Sequence, residues 1–348
     1  MKIAIVTDAW RPQVNGVVRT YENTATQLQQ LGHALCLVNP EGYRTMPCPT
    51  YSSIRLAVAP GGRLDGQLRE FDPDAVHIAT EGPLGHAARA WCLRRGFPFT
   101  TSFHTQFPEY IRLRAPVPLS WSYAWLRRFH SRAERTLVPT ASQRERLLQW
   151  RFKNVVVWPR GVDTDLFRPR ENSPLDLPGP VFMYMGRVAV EKNIEAFLKL
   201  DLPGSKVVVG DGPDREKLSR CYPGVIFSGF KFGEELAAYL AAADVFVFPS
   251  LTDTFGIVLL EAMACGVPVA AFPVTGPIDV VRNGVTGMLD DDLRTAAMAA
   301  LELDPDDCSR YARAQSWRHC TETFANFLAP VQQAAGTLEA KNAVTRHC

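Results

Sequence analysis

Two acidic residues, Asp253 and Glu261, stand eight positions apart around the predicted start of a helix. Asp253 follows an apolar strand-like run, and Phe255 and Gly256 lead from its loop into the helix. The free N–H groups of a helix start attract phosphate, so this segment predicts a site for an anionic ligand. Glu261 lies one turn after Ile257 among apolar residues, so its carboxylate needs a hydrogen-bonded partner. Ribose hydroxyls would provide one.

Both acids also have simpler interpretations. Asp253 can be a helix cap and Glu261 an exposed surface charge. The apolar neighbours of Glu261 favour a binding role for this residue. The sequence around Asp253 gives weaker support for such a role.

Two cations form the second candidate group. Arg187 and Lys192 stand five positions apart, directly after the predicted strand Val181–Met185. Arginine offers a fork of N–H donors and lysine a point charge, so the pair can hold a diphosphate and stabilise it as a leaving group. Ordinary loop charges are the alternative. Gly210, in VVVGDGP, follows the next strand and permits close backbone approach to a ligand.

Two further candidates lie in the first half of the chain. Gly16 stands at a predicted helix start and can let backbone N–H groups reach a phosphate or a sugar, although a plain helix start explains it equally well. Its loop lacks the pattern G-x-G-x-x-G, which argues against an NAD or FAD enzyme. His104, in FTTSFHTQF, ends a strand and can contact a reacting sugar or position an acceptor. A structural histidine is the alternative.

These candidates follow strands because the chain alternates short apolar runs with helical stretches, which predicts βαβ units and parallel sheets. The strand-like runs lie at 2–6, 35–38, 75–78, 97–103, 136–138 and 155–158, then at 181–185, 206–209, 225–227, 245–248 and 267–271. A helix is predicted at 17–31, and later ones near 192–200, 213–220, 233–242, 256–264 and 276–282. Ligands of such sheets bind at the carboxyl ends of the strands.

The 348 residues suit two domains. Five prolines crowd residues 159–180 and mark a linker, which predicts an amino-terminal domain at 1–170 and a second domain at 171–317. The net charge of +2 hides an asymmetry, because residues 1–170 carry 23 Lys/Arg and 13 Asp/Glu, whereas residues 171–348 carry 15 and 23. A basic first half suits an anionic acceptor, an acidic lipid surface or nucleic acid. An arginine-rich surface without such a partner is the alternative.

A helix-like region at 119–137 carries tryptophan and arginine on one stripe, with Trp121, Arg128, Arg132 and Arg135. That combination suits a membrane interface, whereas a surface helix packed on its own domain is the alternative. The eight cysteines form no metal-binding or redox motif, and neither a signal peptide nor an 18-residue apolar stretch occurs. We therefore expect a cytoplasmic protein that can rest on the inner face of the membrane.

Taken in order, GRVAVEKN, VVVGDGP and TDTFGIVLLEAMACGVPV resemble the family 4 glycosyltransferases. TDAWRPQVNGVVRT, SFHTQF and RGVDTDLF strengthen the resemblance, which covers residues 1–330. It implies the α/β GT-B fold, with two doubly wound Rossmann-like domains that face each other across a cleft. Within the family, the sequence is most similar to bacterial mannosyl- and glucosyl-type transferases that act on lipids and to sulfoquinovosyl-diacylglycerol synthases.

The resemblance implies a hexosyl transfer that retains the anomeric configuration and uses no metal ion and no cofactor, because the nucleotide-sugar is a substrate. The acceptor would be a membrane glycolipid or diacylglycerol. The donor would be bound by diphosphate contacts from Arg187 and Lys192, a ribose contact from Glu261, a sugar contact from Asp253, backbone N–H groups at Phe255, Gly256 and Ile257, and Gly210. Gly16 would lie near the diphosphate and His104 near the transferred sugar.

Two positions depart from the family pattern. Asp253 stands where glutamate is usual, which leaves open whether the donor is GDP-mannose or a UDP-hexose. Arg160 stands in PRGVD where asparagine is common. The family also implies that a late helix at 318–330 crosses back onto the first domain, and residues 331–348 read as a loose tail.

Two other functions compete with sugar transfer. One is a nucleotide-sugar epimerase of similar architecture, which would need no acceptor. The other is a non-catalytic protein that binds nucleotides or glycans, against which Arg187, Lys192 and Glu261 argue. Nucleic-acid binding has no recognisable module in the sequence to support it, and we do not expect it.

Overall fold

The computed structural model describes residues 1–13, 15–48, 51–171 and 174–331. The chain forms two compact units. Unit 1 comprises Met1–Thr105, Val117–Pro159 and the chain from Arg318 onward, and unit 2 comprises Gln106–Pro116 and Arg160–Trp317. The chain therefore passes between the units at four places. The loose tail expected at 331–348 lies, apart from Val331, outside the described residues.

The first half of the chain alternates strands with helices, as the sequence predicts. The elements up to residue 159 are β1 (Lys2–Val6), α1 (Gly16–Gln30), β2 (Ala34–Val38), β3 (Thr45–Cys48), β4 (Tyr51–Ala57), α2 (Gly61–Phe71), β5 (Ala75–Ile78), α3 (Pro83–Arg95), β6 (Phe99–Ser102), α4 (Phe107–Arg114), α5 (Leu119–His130), β7 (Arg135–Val138), α6 (Ala141–Gln149) and β8 (Val155–Val157). Helix α4 belongs to unit 2.

Unit 1 is built on a parallel six-stranded sheet in the order β2-β1-β5-β6-β7-β8. Its central strands are buried on both faces, which is why β1 is apolar after Lys2 and why β5 is apolar except for the buried His77. The chain runs from β1 outward to β2 and later returns to β5 on the other side of β1, so the order reverses between β1 and β5. Such a reversal opens a crevice at the carboxyl ends of the two strands.

The second half repeats this architecture. Its elements are β9 (Val181–Met185), a 3-10 turn (Val190–Lys192), α7 (Ile194–Leu198), β10 (Ser205–Val209), α8 (Arg215–Cys221), β11 (Val225–Gly229), α9 (Gly233–Ala241), β12 (Val245–Phe248), α10 (Ile257–Ala264), β13 (Val269–Ala271), α11 (Pro277–Val280), β14 (Gly287–Leu289), α12 (Leu293–Ala300), α13 (Pro305–Arg313) and α14 (Trp317–Phe327). Strands β9 to β14 form a second parallel sheet in the order β11-β10-β9-β12-β13-β14, whose order reverses between β9 and β12.

The prediction of two doubly wound α/β halves is confirmed by these two sheets. Three features were not predicted: the antiparallel hairpin β3-β4, strand β14 and the helices α12 and α13. The helix predicted over 119–137 ends at His130, and the chain then enters β7.

The unit boundary falls between Pro159 and Arg160, eleven residues ahead of the position expected from the proline-rich stretch. Residues just after it pack with unit 2, because Val162 pairs with Ser316 in a short bridge and Phe167 is buried in the core of that unit. Near the other end of the chain, Phe324 on α14 packs on Trp158 within unit 1. None of the helices in the described part of the chain has the length and apolar character that crossing a bilayer needs.

Candidate functional site

An ion pair joins the two loops at the crevice of unit 2. Lys192 ends the 3-10 turn after β9, and Asp253 lies in the loop after β12. The Lys192 Nζ atom lies 2.6 Å from Oδ1 and 2.8 Å from Oδ2 of Asp253. Burial lowers the pKa of Lys192, but the carboxylate of Asp253 and the phenols of Tyr110 and Tyr184 raise it, and the net pKa shift is upward. Lys192 therefore stays a cation at neutral pH.

Further contacts hold the same two loops together. The hydroxyl of Thr252 donates to the carbonyl oxygen of Glu191 at 3.2 Å, and the amide of Asn193 donates to the carbonyl oxygen of Pro249 at 3.0 Å. Glu191 and Asn193 flank Lys192 in sequence, whereas Thr252 and Pro249 both precede Asp253. The two bonds therefore hold together the loops that carry the ion pair.

Arg187 follows β9 at the same edge of the sheet and is half-buried. The buried hydroxyl of Tyr184 donates to the carbonyl oxygen of Arg187 at 2.8 Å, which fixes the backbone of this loop. Gly186 and Gly210 have φ angles of +155° and +135°. A Cβ atom on Gly210 would lie 2.0 Å from the carbonyl oxygen of Gly186. Gly210 is therefore required for packing between the loops after β9 and β10, a structural role that the sequence does not reveal.

The segment from Asp253 to Glu261 excludes the two simpler interpretations. The N-cap of α10 is Gly256, with a φ of +81° and no capping side chain, so Asp253 is not the cap and pairs with Lys192 instead. Glu261 is 3% exposed and is not a surface charge. Burial, together with the nearby carboxylate of Glu261, raises the pKa of the Cys265 thiol to about 12. Phe255 is buried beside the N-cap.

Tyr110 is a site residue that sequence reasoning missed. It lies on α4, which comes from the first half of the chain but packs within unit 2. Its side chain hydrogen-bonds Thr252. Burial raises the pKa of the Tyr110 phenol, and this rise outweighs the lowering by the Lys192 cation and the Thr252 bond. The phenol therefore lies near the Lys192–Asp253 ion pair. No sequence pattern indicates which unit the segment after β6 packs on.

In unit 1, Gly16 begins α1 next to a well-formed cap. The Asn15 side chain accepts hydrogen bonds from the backbone N–H groups of Val17 and Val18, both at 3.0 Å. Asp8, in the same loop after β1, is buried and accepts from the backbone N–H groups of Leu84 at 2.9 Å and Gly85 at 3.2 Å. Burial raises the pKa of Asp8 despite these bonds. Asp8, which the sequence analysis did not select, therefore ties the loop after β1 to the start of α3.

His104 is bonded into a buried polar cluster of unit 1. Its Nε2 atom lies 2.8 Å from the phenolic oxygen of Tyr21. The same oxygen lies 2.9 Å from His77 Nε2 and 3.1 Å from Ser102 Oγ. His104 itself is half-buried and lies two residues past the end of β6.

The structure thus places the predicted residues in two groups. Unit 2 carries Arg187, Lys192, Gly210, Asp253, Phe255, Gly256, Ile257 and Glu261, of which Lys192 and Asp253 are in direct contact. Unit 1 carries Gly16 and His104. Within the described residues, no group of three or more His, Cys, Asp or Glu side chains could hold a metal ion.

Helix α5 presents the tryptophan stripe to solvent. Trp121 and Trp125 are 73% and 52% exposed, Arg128 is exposed near the end of the helix, and Arg132 is exposed in the turn that follows it. The two arginines lie close enough to Arg89 that, together with burial, they lower its pKa. The prediction that Arg135 shares this stripe is wrong. Arg135 begins β7, and its guanidinium donates to the carbonyl oxygen of Phe327 at 3.0 Å.

Comparison with known proteins agrees with this architecture. A family model described as Glycosyltransferase Family 4 matches residues 14–166, and one described as Glycosyl transferases group 1 matches residues 179–303. A sucrose-phosphate synthase from Thermosynechococcus elongatus superposes with a TM-score of 0.74 at 21% identity, covering 98% of this chain and 99% of its own. The structure of Anabaena HepE in complex with UDP superposes with a TM-score of 0.68 at 16% identity, covering 94% of this chain and 99% of its own. These similarities confirm the GT-B fold.

Similar sequences include three enzymes of named activity. The chain is 36% identical to a GDP-mannose-dependent alpha-mannosyltransferase of Mycolicibacterium smegmatis, over 84% of each chain. It is 30% identical to a sulfoquinovosyl transferase of Arabidopsis thaliana, over 79% of this chain and 61% of that protein. It is 27% identical to an alpha-monoglucosyldiacylglycerol synthase of Streptococcus pneumoniae, over 88% and 79%. The two family models match one half of the chain each, and the mannosyltransferase matches most of its length. The chain therefore belongs to the family 4 glycosyltransferases.

Proposed function

We propose that the protein is a retaining hexosyltransferase that moves a hexose from a nucleoside-diphosphate sugar to a hydroxyl group of a membrane glycolipid or diacylglycerol. The observation that carries the proposal is the Lys192–Asp253 pair at the crevice of unit 2, where a ligand of a doubly wound sheet binds. It sets a cation for the diphosphate beside a carboxylate for sugar hydroxyls. GDP-mannose is the first donor to test, because relatives at 36% and 32% identity are named for it, and UDP-hexoses are the alternative.

The donor's charged part would be held by the loop after β9. Arg187 and Lys192 would contact the diphosphate, and the N–H groups at Phe255, Gly256 and Ile257 would add the positive end of α10. Lys192 is bonded to both carboxylate oxygens of Asp253. Diphosphate oxygens would draw Lys192 from this pairing and release Asp253 to accept bonds from sugar hydroxyls.

The nucleoside and the transferred sugar would be held on either side of the diphosphate. Glu261 is buried in an apolar helix, and ribose hydroxyls are suitable donors to its carboxylate. Gly210 would let the backbone approach the ligand, while Gly16 would face the diphosphate and His104 the transferred sugar. In the reaction the bond between the anomeric carbon and the diphosphate oxygen breaks, and the acceptor oxygen bonds that carbon from the same side. The acceptor proton leaves with the nucleoside diphosphate.

The lipid acceptor and an anionic membrane are supported by the exposed side of α5. Two exposed tryptophans and Arg128 lie there, and the exposed Arg132 follows just past the end of the helix, a combination suited to anionic headgroups. We propose that the protein works in the cytoplasm, peripherally on the inner face of the cell membrane. The seven described cysteines are all free, which supports a reducing compartment.

The membrane proposal predicts salt-dependent binding. The protein should sediment with vesicles containing anionic lipid at low salt and be released at high salt. Trp121→Ala with Trp125→Ala should reduce binding about tenfold or more, since two exposed indoles would lose their interfacial contact. Met46→Ala removes an exposed apolar side chain on β3 and should bind like the wild type. Equal binding by all three proteins would contradict the role of α5.

The catalytic proposal is tested with a donor panel. GDP-mannose, UDP-glucose and UDP-galactose are incubated with the protein and a membrane lipid extract, and nucleoside diphosphate release and lipid products are followed. We expect one donor to be used at least tenfold faster than the others, with an α-linked product from an α-linked donor. Conversion of a donor to its epimer without lipid would instead identify an epimerase. No consumption of any donor would indicate a binding protein.

A further inference from the structure

A single phenolic oxygen joins three elements of unit 1. Tyr21, on α1, is fully buried, and its Oη atom lies 2.8 Å from Nε2 of His104, 2.9 Å from Nε2 of His77 and 3.1 Å from Oγ of Ser102. His77 lies on β5, Ser102 ends β6, and His104 begins the loop after β6. Tyr21 also stands five residues after Gly16 on α1, so it connects the helix start to this loop.

The Tyr21 hydroxyl has three hydrogen-bond partners but only one hydrogen to donate. A tyrosine hydroxyl donates one hydrogen, so at most one of the three contacts receives its proton and the others need a donor on the partner. His77 is bonded through both nitrogens, with Nδ1 2.8 Å from Thr100 Oγ1 and Nε2 3.0 Å from Ser102 Oγ. The tautomers of His77 and His104 are therefore set together through Tyr21.

Aromatic neighbours hold the plane of the His104 ring. The ring stands edge-on to Tyr21, with centroids 5.3 Å apart and planes at 90°, and at 67° to Trp158, 6.1 Å away. Trp158 is fully buried and donates from Nε1 to the carbonyl oxygen of Cys320 at 3.0 Å. These two aromatic rings restrain the plane of the imidazole, and the contact between Tyr21 Oη and Nε2 restrains its rotation.

We propose that Tyr21 is a positioning residue for sugar transfer, which fixes the orientation and tautomer of His104 and keeps it in register with the start of α1. The inference rests on the proposed function in one respect, that His104 contacts the transferred sugar. Tyr21 itself touches no substrate in this proposal. It acts through His104 and through the helix that carries Gly16.

Tyr21→Phe is the direct test, because it keeps the ring and removes only the hydroxyl. We expect kcat to fall about 10- to 100-fold, since small misplacement of a group at the reacting centre has effects of this size, with the donor KM changed less than threefold. In the proposed function, the two cations that bind the diphosphate, Arg187 and Lys192, lie in unit 2, which the substitution leaves unchanged. Tyr123→Phe is the matched control, since Tyr123 is also fully buried in unit 1 and its oxygen accepts from Arg146 Nε at 3.3 Å.

The second readout is the nitrogen NMR spectrum of the seven histidines, with His104 assigned by His104→Gln. We expect one fixed tautomer for His104 in the wild type and in Tyr123→Phe. In Tyr21→Phe its two nitrogens should move toward the averaged shifts of a mobile ring. This measurement needs no donor and reports on His104 directly.

The two readouts separate the outcomes. A fall in kcat with an unchanged His104 spectrum would make Tyr21 merely structural and overturn the proposal. A changed spectrum with normal kcat would overturn it as well, because orientation would then not matter. If the wild type transferred no sugar although Tyr21→Phe changed the His104 spectrum, the proposed reaction would fall, while the Tyr21–His104 contact would stand.

Discussion

Replacing Lys192 by methionine removes a charge and keeps most of the side-chain volume. In the wild type, both carboxylate oxygens of Asp253 lie within 2.8 Å of the ammonium nitrogen, and the two side chains are 20% and 17% exposed. Breaking a fully buried pair leaves an unpaired charge that costs about 3–5 kcal/mol. Because this pair is partly solvated, we expect the free energy of unfolding to fall by about 1–2 kcal/mol.

The effect on turnover should be larger. Removing one preorganised charged or polar group from a transition state costs about 3–4 kcal/mol, which corresponds to a fall in kcat of about 100-fold or more. The double variant Lys192→Met with Asp253→Asn separates the two effects. It removes the unpaired carboxylate charge, so stability should recover most of its loss, whereas kcat should stay at least 100-fold low.

Urea unfolding and nucleoside diphosphate release measure the two quantities. Lys199→Met is the control, because Lys199 pairs with Glu195 at 2.9 Å on the surface and is 63% exposed. Such exposed pairs contribute little, so stability should change by less than about 0.5 kcal/mol and turnover should not change. A double variant with turnover within threefold of the wild type would refute the diphosphate role of Lys192.

Three other predictions concern packing, the tyrosine near the ion pair and thiol reactivity. Gly85→Ala should lower the free energy of unfolding by about 2–3 kcal/mol, since its Cβ would lie 1.9 Å from a backbone oxygen. Gly66→Ala places its Cβ in open space and should raise the free energy of unfolding by about 0.4–1 kcal/mol. Equal urea midpoints for the two variants would contradict this prediction. Tyr110→Phe removes the hydroxyl that bonds the loop after β12 and should lower kcat about three- to tenfold in the donor assay; unchanged kcat would mean that the phenol only fills space. At pH 8, iodoacetamide should alkylate the exposed Cys221 but not the buried Cys265, whose pKa of about 12 keeps its thiol protonated. Equal labelling of the two cysteines, measured by peptide mass spectrometry, would contradict the burial of Cys265.

Much of the site could be predicted because strand ends are visible in the sequence. Arg187, Lys192 and Asp253 each follow a strand that reads as an apolar run, and parallel sheets bring such positions to one edge. The contact between Lys192 and Asp253 was not predicted, because it depends on β9 and β12 being neighbours. Strand order is set by packing between elements that are distant in sequence, and hydrophobic periodicity carries no record of it.

Other residues were missed for more local reasons. Tyr110 lies in a segment whose unit is decided by tertiary contacts alone. Arg135 was assigned to a helical stripe because the helical pattern continues past residue 130, where the chain turns into β7. The hairpin β3-β4 contains Pro47, a residue that argues against a strand, yet this two-stranded sheet lies apart from the parallel sheet and tolerates it.

The central claim is tested most directly by following both halves of one donor. GDP-mannose labelled in the sugar is incubated with the purified protein and membrane lipids, and labelled lipid and free GDP are measured over the same time course, with UDP-hexoses run in parallel. We predict that label enters the organic phase in a one-to-one ratio with the nucleoside diphosphate released, and only when lipid is present. Nucleoside diphosphate release without labelled lipid, or no release from any donor, would contradict the assignment of sugar transfer to a lipid acceptor.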